Sequence, residues 1–433
     1  MSMINAYAGE GDLSEVDRRL VLRRAKALGA GYRLFYQRPV HAVRGEGVFL
    51  YGPRGEAYLD AYNNVASVGH CHPHVVAALA RQASILNTHT RYLNDITVAY
   101  AERLAATFPV PVSQLMFTCT GSEANDLALR IAEAHTGGKG LIVTETAYHG
   151  TTAAIAAASP SLGPEVAPGP FVRTVPAPDA RQGADVGERF AAGVRAAIAA
   201  FRDAGIAPAA LLVDTIFSSD GVFAEPAGFL KPAVAEIRAA GGVFIADEVQ
   251  AGFGRTGDAM WGFQRHDVVP DLVTMGKPMG NGHPMAGVAV RPELAASFGR
   301  RSRYFNTFGG NPVSCAVGMA VLDVIEDEGL VANAAAVGRH LADGLSAMAR
   351  SGRYRLGEVR QAGLFIGADV VDEAGVPSAE GAAYLVNDLR ERRVLISATG
   401  PGANVLKIRP PLVFSPANAE TLLAALSDSL AAA

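Results

Sequence analysis

The chain has 433 residues, more than one ordinary hydrophobic core organises, so two domains of unequal size with a cleft between them are expected. Hydrophobic residues make up 49% and charged residues 18%, a balance that excludes a disordered or fibrous chain. The formal net charge is only -4 and the basic side chains are scattered, which argues against a nucleic-acid or membrane-surface partner.

No charge-free apolar stretch is long enough to cross a bilayer, and the first ten residues hold no basic segment leading into an apolar one. Cys71, Cys119 and Cys315 are odd in number and far apart, which suits free thiols in a reducing compartment, so a cytoplasmic location is expected.

In chain order, the first cluster is Gly69, His70, Cys71, His72, Pro73, His74. Its spacing resembles half of a metal site, but no second ligand cluster follows, so a structural or pocket-shaping role is preferred and no metal is expected. Next, Thr120 to Asn125 precede a helical face of Ala124, Leu127, Ala128 and Ile131. Ser122 is expected to cap that helix. A helix start offers unpaired N–H groups and a positive dipole end, and Gly121 lets a phosphate approach the backbone, although an ordinary N-cap has the same sequence.

Apolar runs at 141–144, 211–214, 243–247 and 272–275 alternate with Ala-, Leu- and Arg-rich stretches, the pattern of a parallel sheet covered by helices. Ligands of such sheets sit outside the carboxyl ends of the strands. The Pro-, Gly- and Asp-rich stretch 159–187 reads as a long surface loop. After Asn311 a helix runs to about Glu328, and further helices with short strands near 364–370 and 394–397 form a smaller domain. There is no internal repeat.

Asp247 ends the third of those strands; an isolated acid there is as a rule a solvated strand end. Lys277 changes the weighing. It follows the fourth strand through Gly276 and is flanked by Pro278, Met279 and Gly280, a setting that turns it inward. Burial lowers a lysine's pKa and makes its amine a nucleophile able to form a Schiff base with an aldehyde cofactor, and a nearby acid suits the ring nitrogen of a pyridine.

Residues 120–125, the triplet Tyr148, His149, Gly150, the run 247–250, Lys277, and Thr307, Phe308, Gly309, Gly310, Asn311, Pro312 together resemble, in order, the motifs of class III aminotransferases. The similarity runs from about Ala42 to Ala425. It implies an α/β fold of type I among the pyridoxal-phosphate enzymes: a large domain with a mostly parallel seven-stranded sheet covered by helices, plus a smaller α+β domain. The expected division is 1–65, contributing to the small domain, 66–325 for the large domain and 326–433 for the small one.

The resemblance further implies pyridoxal 5'-phosphate as cofactor and a homodimer with shared active sites. It assigns Lys277 to the Schiff base, Gly121 and Ser122 to the phosphate, Tyr148 to stacking on the ring, Asp247 to the ring nitrogen and Gln250 to the ring hydroxyl. Thr307 would reach the phosphate of the neighbouring subunit's cofactor. Asn63, Asn64, Arg91 and Tyr92 fall in segments that neighbour the substrate in the family.

Two departures bear on the reaction. Many relatives carry an Arg three residues before the Pro-Pro pair to grip a substrate carboxylate; before Pro410 and Pro411 that position is Lys407, with Arg409 as a lesser candidate. The Glu that offsets such an Arg is replaced by Ser219. The stretches 64–73, 87–95, 280–284, 305–317 and 404–411 are similar to the ethanolamine-phosphate phospho-lyase subgroup and its hydroxylysine-phosphate relatives. That resemblance implies a small phosphorylated amine as substrate, with phosphoethanolamine giving acetaldehyde, ammonia and phosphate; the alternative is amino transfer between an amine or amino acid and a keto acid.

Overall fold

The computed structural model describes residues 5–9, 11–348 and 352–433. Seven strands build the central sheet: β1 (Gln114–Thr118), β2 (Gly140–Thr144), β3 (Val172–Val175), β4 (Pro208–Asp214), β5 (Val243–Asp247), β6 (Leu272–Met275) and β7 (Ala286–Val290), in the order β1-β7-β6-β5-β4-β2-β3. Strand β7 runs antiparallel to β1 and β6, and the other pairings are parallel.

Alternation along these strands feeds two cores. Leu141, Leu212, Ile245, Leu272 and Val288 pack on one face with Leu127, Ala128 and Ile131 of the helix Gly121–Thr136. Their neighbours Ile142, Leu211, Val213, Phe244, Ala246 and Val273 enter the larger core on the other face. Both faces are covered, so the strands read as unbroken apolar runs.

Two expectations need correction. The stretch 159–187 contains β3, an edge strand with a parallel partner only in β2; its two central residues, Arg173 and Thr174, are polar and not buried, so it offers no apolar run to read. Ser122 does not cap the helix. Thr120 does, accepting the Glu123 N–H at its hydroxyl while the Glu123 carboxylate accepts the Thr120 N–H, a reciprocal capping box that leaves Ser122 in the first turn.

The C-terminal part builds a four-stranded antiparallel sheet of Tyr354–Ala362, Phe365–Asp372, Val405–Ile408 and Ser397–Thr399, flanked by the helices Leu330–Ala347, Ala379–Glu391 and Pro416–Ala431. The strand expected near 394–397 divides. Val394–Leu395 instead pairs, in parallel, with Ala57–Asp60 of the N-terminal segment, while Ser397 starts a strand of the other sheet. The N-terminal segment is thereby tied to the C-terminal part, which in turn reaches the residues just past β4 and β5 through Thr399 with Ser218 and Arg409 with Gln250. No helix among the described residues is long and apolar enough to cross a membrane.

Candidate active site

Register places the first site residues. Asp214 and Asp247, the last residues of β4 and β5, lie side by side, and Asp247 is paired with Thr274 of β6. All three continue the parity that faces the helix Gly121–Thr136. Asn125, buried on that helix, donates from Nδ2 to Asp247 Oδ2 at 2.9 Å and to the His149 carbonyl at 2.8 Å, and accepts from the Thr274 hydroxyl at 2.7 Å.

Asp247 is buried and saturated with donors. His149 Nδ1 donates to Oδ2 at 2.7 Å and the Val249 N–H to Oδ1 at 3.0 Å. Burial works to raise its carboxyl pKa, but the His149 hydrogen bond and charge, with the Val249 and Asn125 donors, outweigh it and hold the pKa below the ordinary carboxylate range. This carboxylate stays ionised, ready to pair with a cationic nitrogen.

Lys277 enters the same cleft, just past Gly276 at the end of β6. Its amine makes no hydrogen bond or ion pair among the described residues. Desolvation, with Arg409's charge, pulls its pKa down to about 8, against the opposing pull of Asp247 and Asp214. A largely neutral amine at mildly alkaline pH is a nucleophile in waiting.

The cleft, about 280 Å³, is lined by Gly121, Ser122, Tyr148, Asp247, Gln250 and Lys277, among others. At its far end the start of the helix Gly121–Thr136 presents backbone N–H groups, and the Ser122 hydroxyl accepts the Thr151 N–H at 3.0 Å. Gly150 closes this cradle: its φ is +137°, and a Cβ there would stand 2.5 Å from Ser122 Oγ. Such a helix start suits an anion. Tyr148, 36% exposed, offers an open ring at the mouth.

The C-terminal sheet reaches the cleft through the lining residue Gln250, which Arg409 contacts. Lys407 and Arg409 are both buried, and both approach the Phe365 ring, at 5.4 and 6.0 Å, so they share one side of their strand's end. Arg409 also lies over Tyr62 at 4.4 Å and donates through Nη1 to the Gln250 carbonyl oxygen. Burial, reinforced by Arg409's charge, holds the Lys407 amine well below its ordinary pKa. Arg409, the lesser candidate from sequence, is therefore in direct contact with a cleft residue.

The other expected residues divide. Asn64 is buried with its Nδ2 unpartnered, and Asn63 Oδ1 accepts the Val65 N–H at 3.0 Å, close to the Val65 side of the cleft. Arg91, Tyr92 and Thr307 are exposed and do not line the cleft. Arg91 lies over Phe305 at 3.8 Å along a separate apolar groove, and Tyr92 stacks on His89 at 4.9 Å. The histidine cluster disperses onto different carboxylates: His70 on Asp60, His72 on Glu328 and His74 on Asp323.

Sequence reasoning missed Asn125, His149, Asp214 and Ser218 as site residues. A signal existed for Asp214, since the run 211–214 ends in an acid just as 243–247 does.

The family model "Aminotransferase class-III" matches residues 35–430. Among curated proteins, an alanine–glyoxylate aminotransferase 2-like protein of Drosophila melanogaster is 39% identical, covering 94% of this chain and 86% of its own length. Ethanolamine-phosphate phospho-lyase homolog 1 of Caenorhabditis elegans is 34% identical, covering 95% and 93%. Among solved structures, a phospholyase from Arthrobacter in complex with phosphoethanolamine superposes with a TM-score of 0.92 at 45% identity, covering 96% of this chain and all of that one. With a family match across nearly the whole chain and the fold-type-I sheet order beneath it, this chain belongs to the class-III aminotransferase family.

Proposed function

We propose that this chain is a pyridoxal-phosphate-dependent phospho-lyase that removes phosphate from phosphoethanolamine or a closely related phosphorylated amino alcohol, giving, with one water consumed in hydrolysis of the released enamine, acetaldehyde, ammonia and phosphate in the phosphoethanolamine case. Class-III aminotransferases are in general pyridoxal-phosphate enzymes, and the donor set here fits that group. Lys277 brings an unpaired amine for the aldehyde, Gly121 and Ser122 the helix start for the phosphate, Asp247 a permanent carboxylate for the ring nitrogen, and Tyr148 an aromatic face.

The observation that carries the choice of substrate is the buried pair Lys407 and Arg409. With Lys277 they bring three basic side chains together: on top of burial, the Arg409 charge lowers the proton affinity of both Lys277 and Lys407, Lys277 adds to the effect on Lys407 against the pull of Asp214 and Asp220, and among the described residues neither Lys407 nor Arg409 makes an ion pair. A phosphate dianion relieves that excess better than a single carboxylate does. When bound, pyridoxal phosphate supplies a sink for the electron pair left by C–H cleavage. Lys277 would take the proton from the amine-bearing carbon, Asp247 would supply the negative charge for the ring nitrogen, and Lys407 with Arg409 would hold the phosphate as its bond to the neighbouring carbon breaks.

The names of several relatives favour the second reading, amino transfer to a keto acid. Incubation with phosphoethanolamine, with acetaldehyde and phosphate measured beside a pyruvate-acceptor assay, separates the two. Amino transfer without phosphate release sinks the lyase reading.

Lys407→Met should lower kcat/KM for phosphoethanolamine roughly 10- to 100-fold, the worth of one charge-assisted contact. The melting temperature should not fall, because the substitution removes a desolvated charge repelled by Arg409. Steady-state kinetics with a thermal scan check both. In cofactor-free protein, the rate of pyridoxal phosphate capture should climb with pH and level off, with its midpoint near 8, because only the neutral Lys277 amine attacks. Stopped-flow absorbance reads this; a midpoint near an ordinary lysine's value counts against a desolvated nucleophile.

Self-association as a homodimer with shared active sites is part of the proposal. It is supported by an open groove of about 920 Å³ lined by Val98, Val110, Leu115 and Phe305, with Val110 92% and Phe308 69% exposed in the single chain. Thr307, one residue before Phe308, would there reach the phosphate site of the second copy. A cytoplasmic location is likewise proposed, on the three free thiols.

A further inference from the structure

From the cleft-lining residues Asp214 and Gln250 a chain of hydrogen bonds runs through Ser218 to Arg409, and none of the assigned roles uses Ser218. Asp214 accepts the backbone N–H groups of Ile216, at 3.1 Å, and Ser218, at 3.1 Å, and also the Ser218 hydroxyl. Ser218 is fully buried, and its Oγ in turn accepts from Gln250 Nε2. The Gln250 carbonyl oxygen accepts from Arg409 Nη1. The Ser218 carbonyl is itself pinned by the Thr399 hydroxyl at 3.2 Å, so the C-terminal sheet grips the relay at two points.

This order of donors allows one orientation of Gln250. A hydroxyl has a single hydrogen, and Ser218 gives it to Asp214, so only a donor can face Ser218 Oγ from the other side. Arg409 is donor-only, so only the Gln250 oxygen can face it. A flipped amide would set its NH2 against the guanidinium and its oxygen against a hydroxyl with no hydrogen to give.

Two valences remain once the relay is satisfied. Gln250 Nε2 has a second hydrogen, and Gln250 lines the cleft. Arg409, with Nη1 used and its face against Tyr62, retains its Nε, which is enclosed and has no partner. An unpaired guanidinium edge in a buried wall is a strong demand for an anion.

We infer that Ser218 is a positioning residue: by handing its hydrogen to Asp214 it fixes Gln250 amide-inward, and Gln250 in turn holds Arg409 with its Nε edge free for the substrate's phosphate. The part concerning phosphate rests on the proposed lyase reading; the part concerning Gln250 does not.

The test uses the cofactor-loaded protein with Ser218→Ala and two readouts. Inorganic phosphate binding, by titration calorimetry, should weaken about tenfold, because Arg409 loses its fixed orientation. The pH midpoint of the cofactor's visible absorbance band should move by about half a unit or more, because the hydrogen that Gln250 offers the ring oxygen is no longer held in place. If both match the wild type, the relay is overturned. If the wild-type protein binds no phosphate, the anion role of Arg409 falls with the lyase reading, and the absorbance midpoint alone decides the role of Ser218. Should Ser218→Ala not fold, Ser218→Cys keeps the volume with a weaker donor: a phosphate affinity reduced at least about threefold supports the relay, and an unchanged value overturns it.

Discussion

Lys277→Ala is expected to lower turnover of phosphoethanolamine by roughly 10⁴-fold or more, since one amine acts both as covalent anchor and as proton carrier. The fold should survive. The Lys277 amine makes no hydrogen bond among the described residues, and its charged form is disfavoured by desolvation and by Arg409, so truncation removes a cost and leaves no partner stranded. Borohydride treatment followed by peptide mass analysis gives an independent reading: the wild-type peptide holding Lys277 should carry the reduced cofactor, and the variant should carry none. Near-normal turnover in Lys277→Ala would dismantle the assignment.

Asp247→Asn is expected to reduce kcat by roughly 10²- to 10³-fold, the usual cost of deleting one preorganised charge at a reacting centre. The loss has two parts. The charge facing a cationic ring nitrogen disappears, and the hydrogen bonds cannot all be kept. Asp247 accepts from His149 and Asn125 on one oxygen and from the Val249 N–H on the other, so an amide NH2 placed at either end meets a donor. The folded-state pKa of Asp247 lies below its ordinary value, so the stability that it contributes is fully present at neutral pH and is lost as pH falls through the acid range. The thermal stabilities of wild type and Asp247→Asn should therefore converge in acid. Unchanged kcat, with cofactor affinity intact, would remove Asp247 from the ring-nitrogen role.

Four of the seven strands of the large sheet were legible because they are buried on both faces and so appear as short apolar runs, two of them with the observed bounds, Val243–Asp247 and Leu272–Met275; Ala286–Val290, equally buried, was missed. What alternates or is short was not legible. Strand β3 lies at an edge with Arg173 and Thr174 in its middle, and Tyr354–Ala362 includes Arg355, Glu358 and Arg360. The cofactor side of the cleft follows strand ends and one helix start, which local patterning marks; Asp247, Lys277 and Gly121 meet there as expected.

The substrate side is assembled by tertiary contact. Arg409 and Gln250 are 159 residues apart and meet only because the C-terminal sheet closes over β5, a fact that no spacing rule contains. Ser218 looks like any loop serine until Asp214 and Gln250 are seen on either side of it. Arg91, Tyr92 and Thr307 came from resemblance alone; in the single chain all three are exposed and outside the cleft that holds Lys277, and of the three only Arg91 lines the apolar groove.

The parallel pairing of Ala57–Asp60 with Val394–Leu395 has a consequence for how the molecule is made. The Tyr36 hydroxyl also waits for the carbonyl of Ile396, 360 residues later, and the Ala61 carbonyl waits for the Arg409 N–H. At about 5–20 residues per second a ribosome needs some tens of seconds to deliver those partners. During that interval the early strands have one edge without its native neighbour, which exposes the nascent chain to edge-to-edge association, and Arg409 can take up its contact with Gln250 only once the C-terminal sheet has emerged.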